Sequence, residues 1–282
     1  MKAESVRFVN LPVLEEKAKA FTEYVHANDK STGSISFIDP KGILAKEEGY
    51  KTKLAQDAKG ILRLDEWKES WIGSGKIKDR IYNLMNMPQN IVNFNGVIDF
   101  KNHFVEGHSS YSPKAERAIY EIYCGSDEEA AFNLAIEAFG AKYSLLAYLF
   151  FLKDETRFLP ATPTNFERCF EQLGISFKMS FKCSWENYTK FLDIIREFRE
   201  VLPDYLDVSH EISLLDAHSF VWIIGEEVFM NWRTNSVDIN TPLRPKNKLK
   251  KGDGTIVYKC PRCEYSFIQA SRCPECGQLI RE

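Results

Sequence analysis

The sequence predicts an α+β protein that is mainly α: a helical bundle, preceded by a smaller α+β N-terminal domain and followed by a small metal-held module. Helix caps and stops recur at regular intervals between residues 111 and 230. Short alternating runs at Ser5–Val9 and Ile35–Ile38 suggest strands near the N-terminus. Four cysteines, Cys260, Cys263, Cys273 and Cys276, fall as two CxxC pairs near the end.

The N-terminal domain is expected over residues 1–110. Between the two strand candidates, Val13 to His26 keeps Val13, Leu14, Ala18, Phe21 and Val25 on one side, with Pro12 at its start. That spacing is helical, and proline suits a first turn because it lacks an N–H to satisfy. A helix through Leu64, Trp67 and Trp71 is expected to stop at Gly73-Ser74-Gly75. A short helix over Ile77–Met85 ends before Pro88. In the segment Ile91–Phe104, Asn95-Gly96 is a hairpin signal, although its flanks do not alternate cleanly.

Residues 111–230 read as the bundle. Ser112-Pro113 supplies a cap and a first-turn proline, and Gly125 closes that helix. Ser126 with Glu129, and Thr164 with Glu167, have capping-box spacing. Phe132, Ala135, Ile136 and Phe139 form one apolar stripe, stopped by Gly140. Ala141–Lys153 is apolar almost all round and is expected to be the central helix. Ser184 caps a long helix carrying Trp185, Tyr188, Leu192, Ile195, Phe198 and Leu202. Ser213 begins the last one, which runs to Ile224.

Residues 231–254 read as a basic linker, with Arg244, Lys246, Lys248, Lys250 and Lys251 close together and no periodicity. The module at 255–282 follows. Each CxxC turn aims two sulfurs at one point, and two such hooks complete a tetrahedral thiolate shell. Four soft ligands with no open position suit a structural Zn2+, while an iron site of rubredoxin type uses the same ligands. A redox pair would need a βαβ context, and a disulfide pair an oxidising compartment. So short a segment lacks the apolar area to fold alone, and metal binding supplies the missing free energy.

The hooks, with Pro261 and Pro274 after their first cysteines and Gly277 after the last, resemble the zinc ribbon family over residues 255–282. The resemblance implies a C-terminal zinc ribbon with short strands at Ile256–Lys259 and Tyr265–Ile268. Zinc ribbons often occur in proteins that handle DNA or RNA, and others serve as folding staples or docking modules.

Composition limits the remaining possibilities. The chain is 44% hydrophobic and 27% charged, with 20 Phe, 12 Tyr and 5 Trp, enough for a substantial core without disulfides. A net charge of −3 excludes a whole-surface electrostatic grip on nucleic acid, so any such contact must be a local basic patch. The most apolar run, Tyr143–Leu152, is too short to span a membrane, and the N-terminus lacks a signal-peptide core. The expectation is a cytoplasmic protein with no membrane partner, in which Cys124, Cys169 and Cys183 are buried, inert thiols.

Catalytic motifs are sparse. Gly73-Ser74-Gly75-Lys76 has the ending of a phosphate loop, but Ser70 and Ile77 stand where a glycine and a hydroxyl residue are needed. Asp99-Phe100-Lys101 has the carboxylate-x-lysine spacing of metal-dependent nucleases, with Asp79 or Glu106 as a further acid. No histidine follows the cysteines, so they do not look like an HNH arrangement. Asp216-Ala217-His218 offers a carboxylate that could orient an imidazole as a catalytic dyad, but the two are two apart on a helix, face different sides, and read rather as a helix-start carboxylate and a partly buried histidine.

The segments Arg157–Ile175, Cys183–Tyr188 and Ser213–Phe220 resemble uncharacterised bacterial proteins associated with restriction and phage defence. The resemblance covers about 110 to 225, and implies that Arg157, Thr162, Thr164, Lys178 and Lys182 flank loops able to touch phosphates or a base edge. The expected function is nucleic-acid binding, DNA more than RNA, in such a system. Its basic strip joins Arg244, Lys246, Lys248, Lys250 and Lys251 to Arg262 and Arg272. The alternatives are a divalent-metal-dependent nuclease using Asp99 and Lys101, and an adaptor whose partner is another protein.

Overall fold

The computed structural model describes residues 8–89, 91–226 and 229, together with the backbone of three strands at 247–250, 256–259 and 266–268. The chain divides into two compact units, Met1–Ile223 and Ile224–Glu282. The segments expected as separate domains at 1–110 and 111–230 therefore share the first unit up to Ile223.

Among the described residues the regular elements of the first unit are all helices, so the expected α+β N-terminal domain is corrected to a helical one. Ser5 to Arg7 lie outside the described residues. Phe8 and Val9 are not in a strand; their amides donate to the Glu197 carboxylate at 2.8 and 3.1 Å. Ile35 makes only an isolated parallel bridge to Val208, with Phe37 buried beside it in the sequence. The alternation at these sites marks apolar residues dropping into the core from an irregular segment, with no neighbouring strand to extend the ladder.

Helix α1 spans Leu11–Asp29. Asn10 caps it, Pro12 occupies its first turn, and Leu14, Ala18, Phe21 and Val25 form the buried stripe. Helices α2 (Ile43–Glu48) and α3 (Tyr50–Leu62) follow. Gly42 cannot cap α2, and Asp29 at the end of α1 does so instead, its Oδ1 accepting from Ile43 N at 2.7 Å. The expected helix through Leu64, Trp67 and Trp71 is two 3-10 turns, Leu64–Glu66 and Glu69–Trp71. Arg63, left-handed at φ 48°, stops α3, and Trp67 Nε1 donates to Leu62 O at 2.7 Å.

Helix α4 is Lys76–Met85, with Ile77, Ile81, Leu84 and Met85 buried. Helix α5 is Phe94–Asn102, which replaces the hairpin signalled by Asn95-Gly96. Asn93 decides the matter locally, because its side chain accepts from Gly96 N at 2.7 Å and caps a helix.

The second half of the unit holds α6 (Ala115–Cys124), α7 (Glu128–Phe139), α8 (Tyr143–Lys153), α9 (Pro163–Gln172), α10 (Trp185–Val201) and α11 (Leu214–Gly225). Helix α6 begins after the Ser112-Pro113 pair, with Lys114 in the capping position. Gly125 closes it, where a Cβ would lie 2.5 Å from Glu121 O. Asp127, not Ser126, caps α7, accepting from Ala130 N at 2.9 Å. The cap of α9 is Thr162, not Thr164, because Pro163 fits the first turn. Ser184 caps α10 as expected.

Helix α8 is buried from Leu145 through Leu152. Around it Phe132, Phe150, Trp185 and Tyr188 pack as one aromatic cluster, with ring centroids 5.4–6.2 Å apart. Such rings bury large areas and prefer tilted contacts, which explains the abundance of aromatics in this part of the chain. Among the described residues no helix is long and apolar enough to cross a membrane.

In the second unit, β1 (Asn247–Lys250), β2 (Ile256–Lys259) and β3 (Ser266–Ile268) form an antiparallel sheet in the order β1-β2-β3. Lys248 pairs with Tyr258, and Tyr258 with Phe267. Strand β1 falls inside the stretch expected to be a linker, so 231–254 is not linker to its end.

Candidate functional site

The expected metal ligands Cys260, Cys263, Cys273 and Cys276 lie outside the described residues, as do Arg244, Lys246, Lys251, Arg262 and Arg272. Around them the backbone frame is defined. Strand β2 ends at Lys259, immediately before the first hook, and β3 begins at Ser266, three residues after it. Lys248 and Lys250 occupy alternate positions of β1, opposite Tyr258 and Ile256.

Asp99 and Lys101 both sit on α5, where a spacing of two turns them apart. Asp99 is paired with Lys142, whose hydrogen bond holds the carboxyl below its usual range. Lys101 donates to Asn86 Oδ1 at 2.5 Å and lies over the Tyr82 ring. Asp79 is in the first turn of α4, and Glu106 lines a different cleft from Asp99. The carboxylate-lysine pair is therefore not brought together on one reacting centre. Among the described residues no three His, Cys, Asp or Glu side chains are grouped to hold a metal ion.

Two clefts flank the segment Tyr111–Pro113, which lines both. The larger, about 600 Å³, is lined by Asp99, His103, Lys114, Glu137 and Lys142 among others. His103 packs edge-on against Phe139, and both its ring nitrogens are buried without a hydrogen-bond partner among the described residues. Burial pushes its pKa down. The second cleft, about 520 Å³, borders the Gly73-Ser74-Gly75 turn. Gly73 and Gly75 have φ of 79° and 81°, which favours glycine. The amides of Gly73 and Lys78 donate to Glu116, at 2.5 and 3.1 Å. A carboxylate of the protein itself thus occupies the position where a phosphate loop would hold its ligand.

The residues flanking α9 are on the surface in part. Arg157 pairs with Glu128 at 2.8 Å and stacks over Phe158. Thr164, Lys178 and Lys182 are exposed, and Thr162 is half-buried.

One polar cluster was not anticipated. Glu48, Lys51, His218 and Ser219 are all buried in the first unit. Lys51 is ion-paired with Glu48, and Ser219 Oγ donates to the same carboxylate at 3.2 Å. The Lys51 ammonium stands 3.5 Å from His218 Nδ1, while His218 Nε2 donates to Pro160 O at 2.9 Å. Burial, reinforced by Lys51, holds His218 neutral, well below its ordinary pKa. A sequence signal existed: Lys51 stands in the same helical stripe as Leu54, Ala55, Ala58 and Leu62.

Asp216 does not orient His218. Ser213 caps α11, its Oγ accepting from Asp216 N at 3.1 Å, and the Asp216 carboxylate accepts from Ser213 N at 2.8 Å and lies 3.4 Å from His210. Cys169 is buried and donates to Trp222 O at 3.7 Å. Cys183 is half-buried, its thiol pushed up to about 11 by burial. Cys124 is exposed, contrary to expectation, because it ends α6 on the outer side of the last turn.

No family model matches this chain, nor does any curated protein sequence or any solved structure.

Proposed function

We propose that this chain is a nucleic-acid-binding protein, acting on DNA within a bacterial restriction or phage-defence system, whose C-terminal zinc ribbon presents a basic strip to the phosphate backbone. The observation that carries the reading is the order of elements in the second unit. The lysine-bearing strand β1 pairs with β2, and β2 leads directly into the first cysteine hook. The donor set of four thiols at CxxC spacing fits a closed Zn2+ site, and the ion's part is to hold the ribbon together. The strip comprises Arg244, Lys246, Lys248, Lys250, Lys251, Arg262 and Arg272. Clustered cations of this kind bind by releasing counterions from the polynucleotide.

The test is a filter-binding screen of the full chain against single- and double-stranded DNA and RNA, with and without divalent metal. Binding that weakens in the Lys246→Glu/Lys248→Glu/Lys250→Glu variant supports the reading. No binding to any of the four at low salt removes it.

A second reading, a protein-interaction adaptor, is favoured by one observation. Phe94 and Ile98, one turn apart on α5, are exposed, as are Val105 and Tyr111 beyond it. That reading predicts co-purification with a protein partner and no nucleic-acid binding.

A further inference from the structure

The segment Ile175–Lys182 joins α9 to α10 and is punctuated by alternate burial. Ile175, Phe177 and Met179 are buried at 7%, 7% and 0% exposure, while Ser176, Lys178 and Ser180 face outward. Continuing the alternation would bury Phe181. It is instead 85% exposed, the most exposed of the six large apolar side chains that stand out among the described residues.

This exposure is held in place. Ser180 N donates to Glu167 Oε1 at 2.6 Å on one side of Phe181. On the other side, Lys182 O accepts from Tyr143 Oη at 2.7 Å and from Asn187 Nδ2 at 2.9 Å. Met179, fully buried, anchors the turn from below. The backbone is thus pre-organised around a phenyl ring facing water, which costs hydrophobic free energy unless something covers it.

Charge narrows what covers it. Lys178 and Lys182 lie three residues before and one residue after Phe181 in the sequence, are exposed, and have no ion pair among the described residues. The nearby acid Glu167 is engaged by the Ser180 amide. An exposed aromatic ring with two exposed lysines close by in the sequence matches an unpaired base and its adjoining phosphates. A single ring is too little apolar area to hold a membrane surface or a stable protein interface.

We infer that Phe181, with Lys178 and Lys182, is a contact for single-stranded nucleic acid, the ring stacking on an unpaired base and the lysines meeting the adjoining phosphates. The inference rests on the nucleic-acid reading above, but places a second contact outside the ribbon. Phe181→Ala should weaken binding of a fluorescein-labelled oligothymidylate by roughly ten-fold and leave a duplex of the same length unaffected. Phe181→Trp should restore it. Lys178→Gln/Lys182→Gln should lower the slope of log K against log salt by about 1.4. On an abasic oligomer, wild type and Phe181→Ala should bind alike. Since the residue is exposed, thermal unfolding of these variants should match wild type. Binding of the oligothymidylate by Phe181→Ala at wild-type strength overturns this inference and leaves the ribbon reading standing. Absence of any nucleic-acid binding by wild type overturns both. Phe181-dependent binding to phosphatidylserine vesicles, with no effect of Phe181→Ala on the oligonucleotide, assigns the turn to a membrane surface and overturns the inference.

Discussion

The Lys51 ammonium stands 3.5 Å from Nδ1 of a neutral His218, in the interior of the first unit. Lys51 comes from α3 and His218 from α11, so the pair ties together elements far apart in the sequence. The proton inventory closes: Lys51 donates to Glu48 and to His218, and His218 donates to Pro160. The network has no opening among the clefts described, and its part is to fix the packing of α2, α3 and α11.

His218 makes stability depend on pH. Its unfolded form titrates near 6.5, whereas the folded form stays neutral well below that. As pH falls through about 6.5, the unfolded chain takes up a proton that the folded chain refuses, so stability is lost on the acid side. The limiting slope is about 1.4 kcal/mol per pH unit. His218→Gln, which keeps a donor for Pro160 O, should remove that slope between about pH 6.5 and 5 in urea unfolding. An unchanged slope would show that His218 is protonated in the folded state.

The buried ion pair should behave asymmetrically. Lys51→Met alone leaves the Glu48 carboxylate without its cation and should cost about 3–5 kcal/mol. Glu48→Gln/Lys51→Met removes both charges and should cost clearly less, as read by denaturant midpoints. A double-variant loss equal to the sum of the losses in Lys51→Met and Glu48→Gln would show that the two charges do not interact.

A carboxylate supplied by another element caps α2. Asp29→Ala should lower stability by about 1 kcal/mol, since Ile43 N loses its acceptor. Asp29→Asn should retain most of it. Hydrogen exchange at Ile43 reads the effect locally.

Gly125 ends α6 where a Cβ would lie 2.5 Å from Glu121 O and 2.6 Å from Glu121 Oε2. Gly125→Ala should therefore destabilise by about 1–3 kcal/mol through a forced backbone shift. A melting temperature equal to wild type would show that the turn relaxes freely.

Much of the helical unit was legible in the sequence because its punctuation is local. Pro12, Gly140, Ser184 and Ser213 each act on the next few residues, and the helices they delimit are where expected. The strands expected at Ile256–Lys259 and Tyr265–Ile268 are present as β2 and β3, whereas the one expected at Ile35–Ile38 failed because alternation reports only which side chains are buried. Ile35 and Phe37 point inward without any partner strand beyond one bridge. Asn95-Gly96 misled because Asn93, two residues earlier, caps a helix. Of the site, the Asp99-x-Lys101 spacing carried meaning only on a strand, and α5 separates the two side chains. The Glu48–Lys51–His218 network was hidden because its members converge across 171 positions of sequence, a contact that no local pattern encodes.

The function proposed for this chain is nucleic-acid binding by a zinc-held basic strip. It is tested most directly by the salt dependence of DNA binding by the full chain, measured with bound zinc and after chelation. Log K should fall linearly with log salt at a slope of several units, lost on chelation and reduced in Lys246→Glu/Lys248→Glu/Lys250→Glu. Binding that is absent at low salt, or equally strong in the chelated protein and in the triple variant, would contradict it.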